Sequence, residues 1–320
     1  MGFEVYVEND FDAMSQKAAE LLTGRMRDMT VTQNTQFNLG LATGNSPTGL
    51  YRIMAERQHE FNAKKVRTWN LDEYVGLPGT TPEERRQHPE SYYRFMHKHL
   101  FDLLEPQFAE THIPPGTEIE QGELESALNS SPEDVVIEGA DKGEAIDILL
   151  TSNNPYLHRI KTELLIQYYR GIVGAGGINY WVVGVGSEGH IAFHESGIPF
   201  RHKMFLVHLH ESTIRNAVED GHFKSTAEAP YYAMTMGAAG VAELSDHVLL
   251  LASGERKTEP VARSLLGSIT PDVPISVLQM YIGNPRKYAT YIIDETAAAG
   301  ILRKEKALAE KGITLRDVRE

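Results

Sequence analysis

Three apolar runs, Tyr180 to Val185, His247 to Ala252 and Tyr288 to Ile293, constrain the fold most, because each is short enough to be a strand buried on both faces. Each is closed by glycine or acidic residues and followed by a helical pattern. Strands of this kind belong in the interior of a sheet covered by helices on both sides.

The amino-terminal part repeats the same unit. Phe3, Val5 and Val7 alternate with polar positions as a strand does, and Asp10 is placed to cap a helix carrying Met14, Ala18, Leu21 and Leu22. Phe37 to Leu41 reads as a second strand, Thr43 to Ser46 as a turn, with Ser46 suited to the cap and Pro47 to the first position of a following helix. Strand and helix in alternation predict parallel pairing through right-handed crossovers, that is, a doubly wound, mainly parallel α/β sheet with helices on both faces. Ligands of such sheets bind outside the carboxyl ends of the strands. The stretch from Gly116 to Glu144, rich in Glu, Ser, Gly and Asp, lacks clear periodicity and is expected to be a surface insertion. No linker divides the chain, so residues 1–320 are expected to form a single α/β domain.

Charge and composition narrow the partners. A formal net charge of -13 argues against a nucleic-acid backbone or an anionic membrane, and an anionic substrate would need a local basic pocket. With 0 cysteines, disulfides, thiolate catalysis and cysteine-ligated metals are excluded. Met1 to Val7 lacks the pattern of a signal peptide, and no segment approaches the ~20 apolar residues of a membrane helix, so a soluble, cytoplasmic protein is expected.

The chemistry concentrates where strands end. In Leu41-Ala42-Thr43-Gly44-Asn45-Ser46-Pro47-Thr48-Gly49, a small turn leads from a strand into a helix N-terminus, where free N–H groups and the helix dipole favour an anion. An ordinary capped turn is the alternative. Gly254-Glu255-Arg256-Lys257 follows another strand, and Lys257 is either a solvated charge or a second anion ligand. Trp69-Asn70-Leu71-Asp72-Glu73-Tyr74-Val75-Gly76-Leu77-Pro78 begins as a strand and ends in a turn. Its two carboxylates are loop charges unless one stands above the sheet as a proton shuttle.

The segment Gly184-Val185-Gly186-Ser187-Glu188-Gly189-His190-Ile191-Ala192-Phe193-His194-Glu195 places one imidazole between two carboxylates after a glycine-rich turn. Carboxylate contacts fix a histidine's tautomer and stabilise its imidazolium, as general acid–base chemistry requires. The competing reading is a capping loop with an exposed histidine. A metal site on His190 and His194, which a helix would place on one face, lacks the glutamate of H-E-x-x-H, and no metal is expected.

These segments, with His88-Pro89-Glu90-Ser91-Tyr92, resemble the glucosamine-6-phosphate deaminase/isomerase family, which belongs with the 6-phosphogluconolactonases. The run Asp72-Glu73-Tyr74-Val75-Gly76-Leu77-Pro78 resembles the deaminase branch in particular. The resemblance implies a modified Rossmann-like sheet, a small-molecule sugar-phosphate substrate, no cofactor, and often a homo-oligomer. It implies that Asp72 moves a proton between C2 and C1, and that His190 opens the pyranose ring, oriented by Glu195 and Glu188. It implies phosphate binding by Thr43, Gly44, Asn45, Ser46 and Lys257.

Three positions depart from the family pattern. Glu188 stands where the family usually has aspartate, and His194 where asparagine is common. A phosphate-binding arginine expected downstream falls near Glu219, leaving Arg215 as its nearest replacement. These departures keep open a lactonase-like hydrolase, or a non-catalytic sugar-phosphate sensor, beside the deaminase.

Overall fold

A computed structural model of the protein describes residues 2–140 and 143–319. Its strands, in chain order, are β1 (Phe3–Glu8), β2 (Phe37–Leu41), β3 (Val66–Asn70), β4 (Asp72–Val75), β5 (Glu110–His112), β6 (Val135–Ala140) and β7 (Gly143–Ile148), then β8 (Ile178–Val183), β9 (Met204–His208), β10 (Tyr232–Met236), β11 (Ser245–Ala252), β12 (Tyr288–Asp294) and β13 (Thr314–Asp317). Eight of them form one sheet in the order β13-β1-β12-β11-β8-β2-β3-β5. Every pairing in it is parallel.

The doubly wound α/β expectation holds because the predicted strands occupy the middle of this sheet. All five residues of β2 are buried. Phe37, Leu39 and Leu41 are fully enclosed, each burial worth about 1.5–3 kcal/mol. Gly40 faces Trp181 across the β2–β8 register, and a Cβ at that position would lie 2.2 Å from the indole, so any larger residue there would separate the two strands. The helix Phe11–Arg27 starts where Asp10 predicts, its carboxylate accepting the N–H of Ala13 at 2.9 Å. Met14, Ala18, Leu22 and Met26 along one side of it are buried in the cluster that includes Phe37, Leu39 and Leu41.

The chain moves outward from β2 to β3 and β5, then returns to β8 and proceeds the other way to β11 and β12. The boundary between β2 and β8 is therefore the topological switch point, where loops from adjacent strand ends diverge and leave a crevice.

A second sheet, β4-β10-β9-β7-β6, is antiparallel throughout and was not anticipated from the sequence. β4 follows β3 after the single residue Leu71, so the strand expected to end in a Gly/Pro turn instead passes directly from one sheet to the other. The described part of 116–144, expected as a surface insertion without clear periodicity, contains the helix Gln121–Ser130 and β6, with Ile119 and Leu124 fully buried. Of that stretch, residues 141 and 142 lie outside the described residues. Among the described residues, no helix is long and apolar enough to cross a membrane.

Candidate active site

A cavity of about 470 Å³ opens at the β2–β8 switch point, a size suited to a small-molecule ligand. Its walls bring together Thr43, Gly44, Asn45 and Ser46 after β2, Asp72 at the start of β4, Gly184 to Ser187 and His190 after β8, and Ser253 to Lys257 after β11. Segments distant in sequence converge because each leaves the carboxyl end of a neighbouring strand.

The turn after β2 is held from behind. The Tyr51 hydroxyl, buried on the helix Thr48–Glu56, donates to the Ala42 carbonyl at 2.6 Å and accepts the Ala42 N–H at 3.1 Å. Ser46 is not the helix cap: Pro47 occupies that position, and the N–H and hydroxyl of Thr48 both donate to the Asn45 carbonyl. Thr48 and the backbone thus close the turn without the Ser46 side chain, and Ser46 lines the cavity.

Asp72 and Glu73 are both buried, at 5% and 0% exposure, so neither is a loop charge. Burial, and secondarily the charge of Glu73, raises the Asp72 pKa well above the ordinary carboxylate value. Glu73 points the other way and accepts the N–H groups of Tyr74, Tyr92 and Tyr93, each at 2.9 Å. It thereby holds the start of the helix Tyr92–His99. Tyr92, which hydrogen-bonds with the side chains of Thr43 and Tyr74, is carried into the cavity wall by that helix.

His190 Nδ1 lies 3.3 Å from Glu195 Oε2, off the line of a hydrogen bond. The imidazole is 16% exposed and Glu195 is buried. Glu195 also accepts the His210 N–H at 3.4 Å. The turn beneath passes close under the ring at Gly186, where a Cβ would come within 1.9 Å of His190 Nε2. Ala192 in the same loop has φ 53, a left-handed conformation uncommon for a residue with a side chain. Glu188 is half-buried in this loop but is not among the cavity-lining residues.

His194 is no partner of His190 on a helix face; a bridge between Ile191 and His194 folds the loop back instead. Its ring is fully buried, with Nε2 donating to the Ile198 carbonyl at 2.9 Å and Nδ1 accepting the Ala238 N–H at 3.1 Å. Burial lowers its pKa to about 4, so it is a neutral structural pin. Among the described residues, no group of three His, Asp or Glu is arranged to hold a metal ion.

Lys257 reaches across to donate to the Val185 carbonyl at 2.7 Å, and burial followed by the charge of Arg256 lowers its pKa. Arg215 is exposed on the helix Glu211–Glu219 and is not among the cavity-lining residues, whereas Thr213 and Asn216 of that helix do line it. Arg256 lines the cavity too. Its place beside Lys257 in one strand-end loop was the available signal.

At its switch point the parallel α/β sheet thus holds a crevice lined by a buried carboxylate, an imidazole and two cationic side chains, suited to a small anionic ligand. The family model described as glucosamine-6-phosphate isomerases/6-phosphogluconolactonase matches residues 9–284, and the chain belongs to that family. It is 35% identical to glucosamine-6-phosphate deaminase 2 of Bacillus subtilis (strain 168) over 263 residues, covering 81% of this chain and 84% of the relative. It is 31% identical over 306 residues to glucosamine-6-phosphate deaminase of Clostridioides difficile (strain 630), covering 95% and 99% of the two chains. Among solved structures, a monomeric glucosamine-6-phosphate deaminase superposes with a TM-score of 0.66 at 25% identity, covering 92% of this chain and 99% of the other. The 6-phosphogluconolactonase of Leishmania guyanensis, at 18% identity and a TM-score of 0.57, shares the fold over 94% of this chain and 99% of its own.

Proposed function

We propose that the protein converts an amino-sugar 6-phosphate, glucosamine 6-phosphate or a close relative, to the ketose 6-phosphate with release of ammonia. The observation that carries this reading is the buried carboxylate of Asp72 in one cavity with His190. Isomerisation next to a masked carbonyl needs a base whose pKa lies near the working pH, and burial raises Asp72 in that direction.

In this reading His190 supplies the proton that opens the pyranose ring, with Glu195 beside it to stabilise the imidazolium and Glu188 contributing to the same loop. Asp72 then carries a proton from C2 to C1, which turns the C2 amine into an imine, and water replaces it as ammonia leaves. The Thr43–Ser46 turn and Lys257 hold the phosphate, and positioned acid and base each supply ~10²–10⁴-fold. No cofactor enters the sequence of steps.

Incubating the purified chain with a panel of 6-phosphosugars, while following ammonia and ketose together, tests the proposal. Equal amounts of both from an amino sugar are expected, and silence on every amino sugar would overturn it. The same reading places the enzyme in the cytoplasm as a homo-oligomer. Sedimentation equilibrium of the purified chain checks the assembly, and a monomer would match the solved relative described as monomeric.

A further inference from the structure

Arg256 and Lys257 are consecutive, and both line the cavity after β11 together with the Thr43–Ser46 turn after β2. They do different things. Lys257 is tied to the Val185 carbonyl, while Arg256 Nη2 donates to Asp220 Oδ1 at 2.6 Å. Asp220 ends the helix Glu211–Glu219 and lines the same cavity. The side chains of the pair are 60% and 30% exposed, so it is an open ion pair, of the kind that exchanges partners at little cost. Lys257 lies close enough to feel the charges of both Arg256 and Asp220. A carboxylate placed on an arginine at the edge of this cavity occupies the donor that a phosphate would use.

We propose that Arg256 is the guanidinium ligand of the substrate phosphate and that Asp220 competes with that phosphate for it. The assignment rests on the reading of the site as a sugar-phosphate enzyme. Arginine suits the role because its planar fork matches phosphate oxygens, where lysine offers a point charge. The competition also couples phosphate binding to the helix Glu211–Glu219, since Asp220 is released when the phosphate takes Arg256. That helix also carries Asn216, whose amide donates to the Ser187 hydroxyl at 3.1 Å, beside the His190 loop.

The test uses the purified full chain and five variants: Arg256→Ala, Arg256→Lys, Asp220→Asn, Arg215→Ala and, as a control, Arg263→Ala, which removes an exposed side chain paired with Glu259. Turnover of glucosamine 6-phosphate is compared with inhibition by inorganic phosphate, and inorganic phosphate binding is measured by calorimetry, which requires no turnover. Arg256→Ala is expected to raise KM and weaken phosphate binding by roughly 10- to 100-fold, with kcat changed far less. Arg256→Lys is expected to recover part of that loss, Asp220→Asn to tighten phosphate binding by about 2- to 5-fold, and Arg263→Ala to match wild type. Wild-type phosphate affinity in Arg256→Ala would overturn the assignment, as would a loss carried by Arg215→Ala instead. An active enzyme indifferent to Arg256→Ala defeats this inference alone. Phosphate binding that depends on Arg256 without any amino-sugar turnover defeats the enzymatic reading alone.

Discussion

Asp72 and Glu73 are adjacent on β4 and leave it on opposite faces, so that two buried carboxylates face two different cavities. Asp72 enters the cavity with His190. Glu73 borders a separate space of about 460 Å³ and satisfies three backbone N–H groups. One lines the candidate site, and the other seats the helix that brings Tyr92 to it.

Glu73→Ala removes the acceptor of those three buried donors. It is expected to lower stability by about 2–4 kcal/mol in urea unfolding, because unmade buried hydrogen bonds cost more than made ones gain. A change below 0.5 kcal/mol would show that the helix Tyr92–His99 does not depend on it.

The pH dependence of stability tests the same residue. Burial raises the Glu73 pKa from 4.5 to about 7, its three N–H bonds opposing the shift. A folded pKa above the unfolded one means that the contribution is fully present below about 4.5 and is lost as pH rises through about 7. Glu73→Gln is expected to flatten the fall in unfolding free energy across that window, and an unchanged slope would assign it to other groups.

Activity should follow Asp72. As the proposed base Asp72 works ionised, and its pKa is raised, so kcat/KM is expected to fall on the acid side at a pH well above the ordinary carboxylate value of about 4. Because the charge of Glu73 contributes to the shift, Glu73→Gln should move this limb to lower pH. An acid limb at about 4 in the wild type would contradict the placement.

Gly186→Ala puts a methyl where His190 Nε2 now packs. The expected outcome is a fall in kcat of about 10²-fold with thermal stability close to wild type, since the ring can swing away while the backbone remains allowed. Full activity would mean that His190 has no fixed position.

His194→Ala is expected to do the reverse. It leaves the Ala238 N–H and the Ile198 carbonyl without the ring and opens a void, at a cost of about 2–4 kcal/mol in unfolding. KM should stay near wild type, because the ring is not part of the cavity wall. A large KM change with unaltered stability would return His194 to the substrate site.

What was legible in the sequence was local. The Asp10 cap, the buried runs of β8, β11 and β12, and the turn after β2 all follow from neighbouring residues and periodicity. The second sheet was not, because β4 pairs with β10 through contacts such as Asp72 with Thr235, and no short pattern encodes that partner. The same pairing buries Asp72 and Glu73, which sequence alone left as either loop charges or a proton shuttle. The sequence reading of Arg215 took no account of helical phase: Thr213 and Asn216 are three apart and both line the cavity, whereas Arg215 is not among the lining residues. The segment 116–144 hid its strand and helix behind polar surface positions, although Ile119, Leu124 and Ala127 are buried.

The central claim, that Asp72 is the base of an amino-sugar-phosphate isomerase, is tested most directly by comparing ammonia release from glucosamine 6-phosphate in wild type and Asp72→Asn. The substitution keeps the side chain's shape and removes its basicity. Stoichiometric ammonia and ketose from the wild type, with a loss of ~10²–10⁴-fold in Asp72→Asn at unchanged fold, is the predicted result. Retained turnover in Asp72→Asn would contradict the account and favour a hydrolase in which His190 activates water without that carboxylate.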